Sequence, residues 1–446
     1  MGKELFGTDG IRGVAGEYPL DASTVFAFGA ALGEDVGARR SDAQVLIGAD
    51  TRESSPWIAE TVAGGLASTG VRARFAGVIT TPGVAYLTRT GPFAAGVMIS
   101  ASHNPYRDNG LKVFGHSGFK LPDAEEHAIE QGIFRICERK IAPKTGKLTV
   151  EEEFARQYLD FLISTVSVRF DGMKLAMDCG NGAASRLAPG LFRGLGAEVT
   201  AISTEPDGRN INLNCGALHL DALRQAVVSS HADFGVAFDG DADRSLFVAR
   251  SGRTIDGDAV MLIAGRAMKA AGKLAGDIVV STVMSNLGLE RALESSGIRM
   301  VRTPVGDKYV LEEMVRLGAT LGGEQSGHVI FREFSTTGDG MLTALHVLEI
   351  ARRAGTGLEE LVSDFQVYPQ KLVNVRVREK KGLLEIPSVK QEIQRAESAF
   401  AGYGRVLVRF SGTEPLARVM VEASDQQQVD LFSASIADII RQEMGA

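Results

Sequence analysis

Long apolar runs are missing from this 446-residue chain. The longest, such as AVMLIAG, fall far short of the roughly 20 residues a membrane helix needs, so no membrane partner is expected. Cysteine is scarce: Cys137, Cys179 and Cys215 stand without any C-x-x-C spacing. They read as reduced, mostly buried thiols of a cytosolic protein rather than a disulfide framework. Positive charge is not in excess either. Lys and Arg total 48 against 55 Asp and Glu, a net charge of −7, which speaks against a nucleic-acid surface. The opening MGKELFGTDG carries charges where a secretory signal needs an apolar stretch. Phe6 breaks the myristoylation pattern. The expectation is a soluble cytoplasmic protein. Neither a G-x-S-x-G elbow nor a G-x-x-x-x-G-K-[ST] phosphate loop occurs.

What is present is an ordinary globular composition, 44% hydrophobic and 23% charged. The length suggests about three or four domains at roughly 150 residues each. One grammar occurs three times. AQVLIGAD leads to a helical stretch ending LASTG, then VRARFAG, then AAGVMISASHN. MKLAMDCGNG leads to a stretch ending FRGLG, then AEVTAIS, then FGVAFDGDADR. GDIVVST leads to LESSG, then IRMVRTP, then ATLGGEQSGH. Gly70, Gly196 and Gly297 fall where helices end, since glycine adopts the left-handed cap conformation cheaply. Strands alternating with helices at this spacing predict doubly wound parallel sheets, an α/β class. In such sheets ligands gather beyond the carboxyl ends of the strands. From about residue 370 the pattern changes. KLVNVRVRE, GRVLVRF and RVMVEAS read as strands, and 388–400 and 426–443 as helices, which predicts a smaller α+β domain.

Each repeat ends in a polar loop. In DGDADR, Asp239, Asp241 and Asp243 alternate, so an extended segment points all three carboxylates one way. Such a triad repels itself unless a hard cation such as Mg²⁺ or Ca²⁺ is present. An EF-hand does not fit, because Arg244 and Arg250 stand where glycine and glutamate belong. An acidic surface turn is the plain alternative. Ser102 in SASHNP could be a turn serine. His103 beside it makes a poor base, since neighbours in an extended chain point apart. Phosphorylated, Ser102 would supply anionic oxygens to a metal held by the triad. GEQSGH offers Glu324, Gln325, Ser326 and His328, a mix suited to sugar hydroxyls or to a tight turn around a core histidine. RFSGTEP, with Arg418 beyond it, groups guanidinium and hydroxyls as a phosphate site would; a hairpin turn is the alternative. Arg12 in GTDGIRG and Lys112 in DNGLK are cations that could face the same phosphate or solvent. PVGDKYV places Asp307 and Lys308 at the end of the third repeat's second strand.

Taken in order and spacing, SASHNP, DGDADR, GEQSGH and SGTEP closely resemble the α-D-phosphohexomutase superfamily, from GTDGIRG to SGTEPLARV. KELFGTDGIRG, VGDKYV and Gln325 are most similar to its bacterial amino-sugar branch. The resemblance implies three repeated α/β domains and a smaller C-terminal domain around a central active-site cleft: 1–160 with the phosphoserine, 161–256 with the metal, 257–369 with the sugar loop and 370–446 with the phosphate loop. It implies that Ser102 is the phosphorylated nucleophile and that Asp239, Asp241 and Asp243 hold Mg²⁺ with a phosphoserine oxygen. Glu324 and Ser326 would contact sugar hydroxyls. Arg409, Ser411, Gly412, Thr413 and Arg418 would hold the phosphate that does not react. Lys112 and His328 are the candidates for proton transfer, with Arg12 and Arg244 as electrostatic support. The implied reaction interconverts hexosamine 6- and 1-phosphates through a 1,6-bisphosphate, on the route to UDP-N-acetylglucosamine and cell-wall precursors. A hexose or hexosamine 1,6-bisphosphate serves as activator, and the enzyme is a monomer or homodimer. The alternatives are the same chemistry on mannose or glucose phosphates, a metal-dependent sugar phosphatase, or a non-catalytic sugar-phosphate-binding protein.

Overall fold

The computed structural model describes residues 4–7, 9–380, 382–411 and 415–445. The chain divides into two compact units, Met1–Met284 with Ile298–Ser363, and Ser285–Gly297 with Asp364–Ala446. The larger unit contains three sheets, each with a parallel centre. Gln44–Ala49 pairs in parallel with Arg72–Val78 and Ala95–Ile99. Lys174–Asp178 pairs in parallel with Glu198–Ile202 and Phe234–Phe238. Ile278–Thr282 pairs in parallel with Arg299–Thr303 and Leu321–Gly323. Ala95–Ile99 (AGVMI), Phe234–Phe238 (FGVAF) and Ile278–Thr282 (IVVST) are buried along their whole length. Strands covered on both faces need apolar side chains at successive positions rather than alternate ones. The capping glycines behave as expected: Gly70, Gly196 and Gly297 take φ of +82°, +101° and +69°.

The expectation of parallel sheets needs correction on one side of each. Asp108–Gly115 returns antiparallel to Ala95–Ile99. Ser245–Ala249 does the same against Phe234–Phe238, and Val329–Phe331 against Leu321–Gly323. The cause is loop length. A few residues can turn a chain back on itself, but a parallel crossover needs a dozen or more. SASHNP, DGDADR and GEQSGH therefore occupy equivalent places, each in the turn between the last parallel strand and its antiparallel return.

Two capped helix N-termini abut the DGDADR loop: Thr81 N–H donates to Asp241 O at 3.0 Å and Gly340 N–H to Ala242 O at 2.9 Å. Thr80 caps helix Thr81–Thr90 by accepting from Gly83 N–H. Asp339 caps Gly340–Ala354 by accepting from Leu342 N–H. Among the described residues no helix is long and apolar enough to cross a membrane.

The smaller unit is the expected α+β arrangement. Its antiparallel sheet runs in the order Gln370–Arg376, Leu416–Ala423, Gly404–Phe410. Helices Pro387–Phe400 and Gln426–Met444 pack on it over Val419, Val421, Phe432 and Ile436. One feature was not foreseen. Helix Leu287–Ser295, which the sequence places in the third repeat, is part of this smaller unit. Its first N–H donates to the Glu422 carboxylate at 3.0 Å. Asn286, its cap, exchanges hydrogen bonds with the Tyr368 backbone at 2.9 Å.

Candidate functional site

Ser102 is 1% exposed and has φ of +52°. A serine held in the left-handed region costs on the order of 1 kcal/mol or more and persists only where its surroundings dictate it. Its N–H donates to Ser100 Oγ at 2.9 Å. Its Oγ donates to Asp239 Oδ2 at 2.6 Å. The backbone is not extended here, so His103 does not point away as expected: its Nδ1 lies 3.4 Å from Ser102 Oγ. Burial, and then Arg244 and Arg12, push the His103 imidazole down to about 4, so it is neutral at pH 7.

Asp239, Asp241 and Asp243 are 1%, 0% and 5% exposed. They offer carboxylate oxygens within 4.8 Å of one another. The predicted convergence is present, but a tight turn produces it, with Ala242 at φ of +54°, and not an extended segment. Gly240 matters to this turn, since a Cβ there would stand 2.5 Å from the Ser102 carbonyl oxygen. Burial and then repulsion from Asp243 and Asp241 hold the Asp239 carboxyl well above its usual range. Asp241 Oδ1 and Asp243 Oδ1 are buried without any hydrogen-bond donor. Orphaned anionic oxygens beside a carboxylate-bound serine are the donor set a hard divalent cation takes, so the residues fit a metal.

Cations surround the triad. Lys112, expected to face either a phosphate or solvent, is 1% exposed. Its Nζ lies 2.7 Å from Asp241, 3.4 Å from Asp243 and 3.1 Å from Asp9. Burial disfavours the ammonium, but these carboxylates outweigh it and hold its pKa well above the usual value. Arg12 lies against the serine loop, donating to Ala101 O and Asn104 Oδ1 at 3.4 Å and pairing with Asp9. Arg244 Nε stands 3.8 Å from Asp243. Burial would lower its pKa, but Asp243 and Asp239 raise it.

The third loop reaches the triad through His328, which is 2% exposed. Gly338 N–H donates to its Nε2 at 2.9 Å, so Nδ1 carries the ring proton, 3.7 Å from Asp243 Oδ2. A Cβ on Gly338 would sit 2.6 Å from that ring, so glycine is what allows this approach. Glu324 accepts from Gly306 N–H at 3.1 Å and from Ser326 Oγ at 3.3 Å; Ser326 is exposed. The Gln325 backbone carbonyl accepts from Gly257 N–H at 3.0 Å, at the start of helix Gly257–Ala270. Asp307 does not end a strand but begins helix Asp307–Leu317.

The fourth loop belongs to the smaller unit. Arg409 and Arg418 are directly opposite in the antiparallel ladder. Burial and then Arg418 lower the Arg409 pKa. Like charges so placed repel, and an anion relieves them. Ser411 is 3% exposed, and its carbonyl accepts from Lys380 Nζ at 2.9 Å. Gly412 and Thr413 lie outside the described residues.

Several members of the site were not singled out from the sequence. Asp9 sits in GTDGIRG beside Arg12 and accepts from Lys120 Nζ at 2.5 Å; the same ammonium lies 2.5 Å from Asp307. Thr81 binds Asp241 through its hydroxyl and, at 3.0 Å, through its N–H. Asp50 and Arg52 lie beneath the serine loop, and Asn212 also bonds to it. A signal for the Asp50–Arg52 pair was available. The strand Gln44–Ala49 ends in a polar run, DTRESS, by the same grammar that marks the other loops.

The sequence is similar to known proteins along its length. Descriptions of phosphoglucomutase/phosphomannomutase alpha/beta/alpha domains I, II and III match residues 3–140, 156–252 and 256–368, and that of the C-terminal domain matches 372–439. A phosphoglucosamine mutase of Solibacter usitatus is 72% identical over 445 residues, covering 100% of both chains. One from Koribacter versatilis is 52% identical, covering 99% of this chain and 98% of its own. The crystal structure of a phosphoglucomutase/phosphomannomutase family protein from Burkholderia thailandensis superposes with a TM-score of 0.80 at 26% identity, covering 98% of this chain and 97% of the other. With the aspartate triad, the buried serine and these likenesses together, the chain belongs to the phosphoglucomutase/phosphomannomutase family of phosphohexomutases.

Proposed function

We propose that this chain interconverts glucosamine 6-phosphate and glucosamine 1-phosphate, with Ser102 as the phosphoryl carrier. The observation that carries the chemistry is Ser102 Oγ on Asp239 at 2.6 Å, inside a buried carboxylate triad with donorless oxygens. The choice of amino sugar rests on the relative at 72% identity over the full chain.

In the forward direction the C1 hydroxyl of glucosamine 6-phosphate attacks the phosphorus of phosphoserine 102. The O1–P bond forms, the Oγ–P bond breaks, and the hydroxyl proton passes to a protein group. The resulting 1,6-bisphosphate turns end for end. Ser102 Oγ then attacks the C6 phosphorus; the Oγ–P bond forms, the O6–P bond breaks, and O6 takes a proton from a protein group, leaving the 1-phosphate. Asp239, Asp241 and Asp243 would hold Mg²⁺ with a phosphoserine oxygen; the ion supplies neutralisation of charge during in-line transfer. Lys112, at the triad, and His328, facing Asp243, are placed to move protons. Arg12 and Arg244 offset phosphoryl charge. Glu324 and Ser326 accept and donate to sugar hydroxyls. Arg409, Ser411, Gly412, Thr413 and Arg418 grip the distal phosphate and, reading only a phosphate, tolerate both orientations of the bisphosphate.

The corresponding domains are 1–160, 161–256, 257–369 and 370–446. A hexose or hexosamine 1,6-bisphosphate primes Ser102, and the enzyme works in the cytoplasm as a monomer or homodimer.

Discrimination against glucose and mannose phosphates is expected to be modest, because contacts to the reacting phosphate are common to all three sugars. Comparing kcat/KM for the 6-phosphates of glucosamine, glucose and mannose under identical priming tests the substrate. Glucosamine 6-phosphate is expected to lead. Glucose or mannose 6-phosphate equalling it would make the chain a general hexose mutase.

A further inference from the structure

The serine loop is gripped from beneath by one side chain. Arg52 is 1% exposed, and its guanidinium is fully enclosed. Nε–H donates to Asp50 Oδ2 at 2.8 Å. One terminal nitrogen donates to Ser102 O and Asn104 O, both at 2.9 Å. The other donates to Asp108 O at 3.0 Å and to Pro105 O. A guanidinium has five N–H donors in a rigid planar fork, and all five are used here. Four of them hold backbone carbonyls of the single turn that carries Ser102.

Two neighbours complete the grip. Asn212 Nδ2 donates to Ser102 O at 2.9 Å and Asn104 O at 3.2 Å, so both carbonyls accept twice. Asp50, which holds Arg52, also accepts from Ser100 Oγ at 2.7 Å, and Ser100 Oγ in turn accepts from Ser102 N–H. The polar groups flanking the Ser102 peptide are thereby tied, directly or through one atom, to the Asp50–Arg52 pair.

We infer that Arg52 is a positioning residue for phosphoryl transfer: it keeps Ser102 in its left-handed conformation with Oγ on the triad, without touching the sugar. This rests on Ser102 being the carrier. A carrier must present the same oxygen, in line, to two ends of a substrate. Misplacement by about 1 Å costs on the order of 100-fold in such a step. Lysine cannot replace Arg52, because an ammonium has three donors and no fork. The proposal therefore separates charge from geometry, since Arg52→Lys keeps the first and loses the second.

The test measures phosphorylation of Ser102 by glucose 1,6-bisphosphate, by intact mass on the millisecond-to-minute scale, alongside kcat and KM in turnover. Wild type, Arg52→Lys, Arg52→Gly and Asn212→Ala are compared well below their melting temperatures. Arg52→Lys is expected to slow phosphorylation and kcat about 100-fold with KM for the sugar phosphate within about twofold. Guanidinium ion at millimolar concentration should restore part of the Arg52→Gly rate, while sodium at equal ionic strength should not. Should the Arg52 variants not fold, Asn212→Ala carries the test, with an expected slowing of about tenfold on the same two rates. A folded Arg52→Lys, or failing that Asn212→Ala, with wild-type phosphorylation kinetics overturns the positioning role alone. Failure of the wild-type chain itself to take phosphate on Ser102 overturns the carrier reading, and this inference with it.

Discussion

Ser102 Oγ and Asp239 Oδ2 are 2.6 Å apart, although 137 positions separate them in the chain. The serine closes one parallel strand's end and the aspartate another's, and neither has a reason to be buried unless they act together. Asp239 shares its site with two more carboxylates, and burial together with their repulsion keeps it well above its usual pKa.

Relief of that repulsion by a cation predicts metal-dependent stability. Mg²⁺ at 100 times its dissociation constant should stabilise the chain by about 2.7 kcal/mol. The melting temperature should therefore rise with Mg²⁺ and not with sodium at matched ionic strength. In Asp241→Asn, the Mg²⁺ response should fall to a small fraction of the wild-type shift. An unchanged response in that variant would place the metal elsewhere.

A second prediction concerns pH. Asp339 is 1% exposed and accepts from Tyr158 Oη at 2.8 Å and Leu342 N–H at 2.9 Å. Burial raises its carboxyl from 3.8 to about 6. Between those values the unfolded chain has lost the proton and the folded chain still holds it, so stability falls as pH rises. Above about pH 6 the loss is complete, at about 3 kcal/mol. Asp339→Asn keeps a capping oxygen and removes the titration. Relative to this variant, wild type should lose stability from pH 4 to pH 6.5 in chemical denaturation. A difference constant with pH would contradict the assignment.

Glu422 is the key to the smaller unit. It is fully buried, pairs with Arg405 and holds the N-terminus of helix Leu287–Ser295 at 3.0 Å. Glu422→Ala removes the buried carboxylate that partners the Arg405 guanidinium and a helix N–H, and should cost about 3 kcal/mol. Hydrogen exchange should show faster opening of residues 287–295 than in wild type. Unaltered protection there would mean that the helix is held by packing alone.

Much of this was legible in the chain because burial writes itself into runs such as AGVMI and FGVAF, and because a strand closing in small polar residues marks a loop with work to do. Strand direction was not legible. Whether Asp108–Gly115 runs with or against its neighbour depends on the reach of the loop before it, which apolar periodicity does not encode. Helix Leu287–Ser295 carries a normal amphipathic pattern, and its membership of the smaller unit depends on Glu422, more than a hundred residues away. Arg52 and Lys120 were not singled out from the sequence for the same reason: a charge's burial is decided by distant partners. The triad's convergence was read correctly from spacing, though a turn at Ala242 produces it and alternation does not.

The central claim is that Ser102 gives its phosphoryl group to one end of the sugar and takes another from the other end. Ser102 can be loaded with ³²P from a labelled 1,6-bisphosphate, freed of the donor and mixed with glucosamine 6-phosphate in Mg²⁺. Within the first turnovers, the label should leave Ser102 and appear on glucosamine 1,6-bisphosphate and glucosamine 1-phosphate. Ser102→Ala should neither load nor turn over. Label released as inorganic phosphate in the same time would make the chain a phosphatase, and label retained on Ser102 would contradict the account.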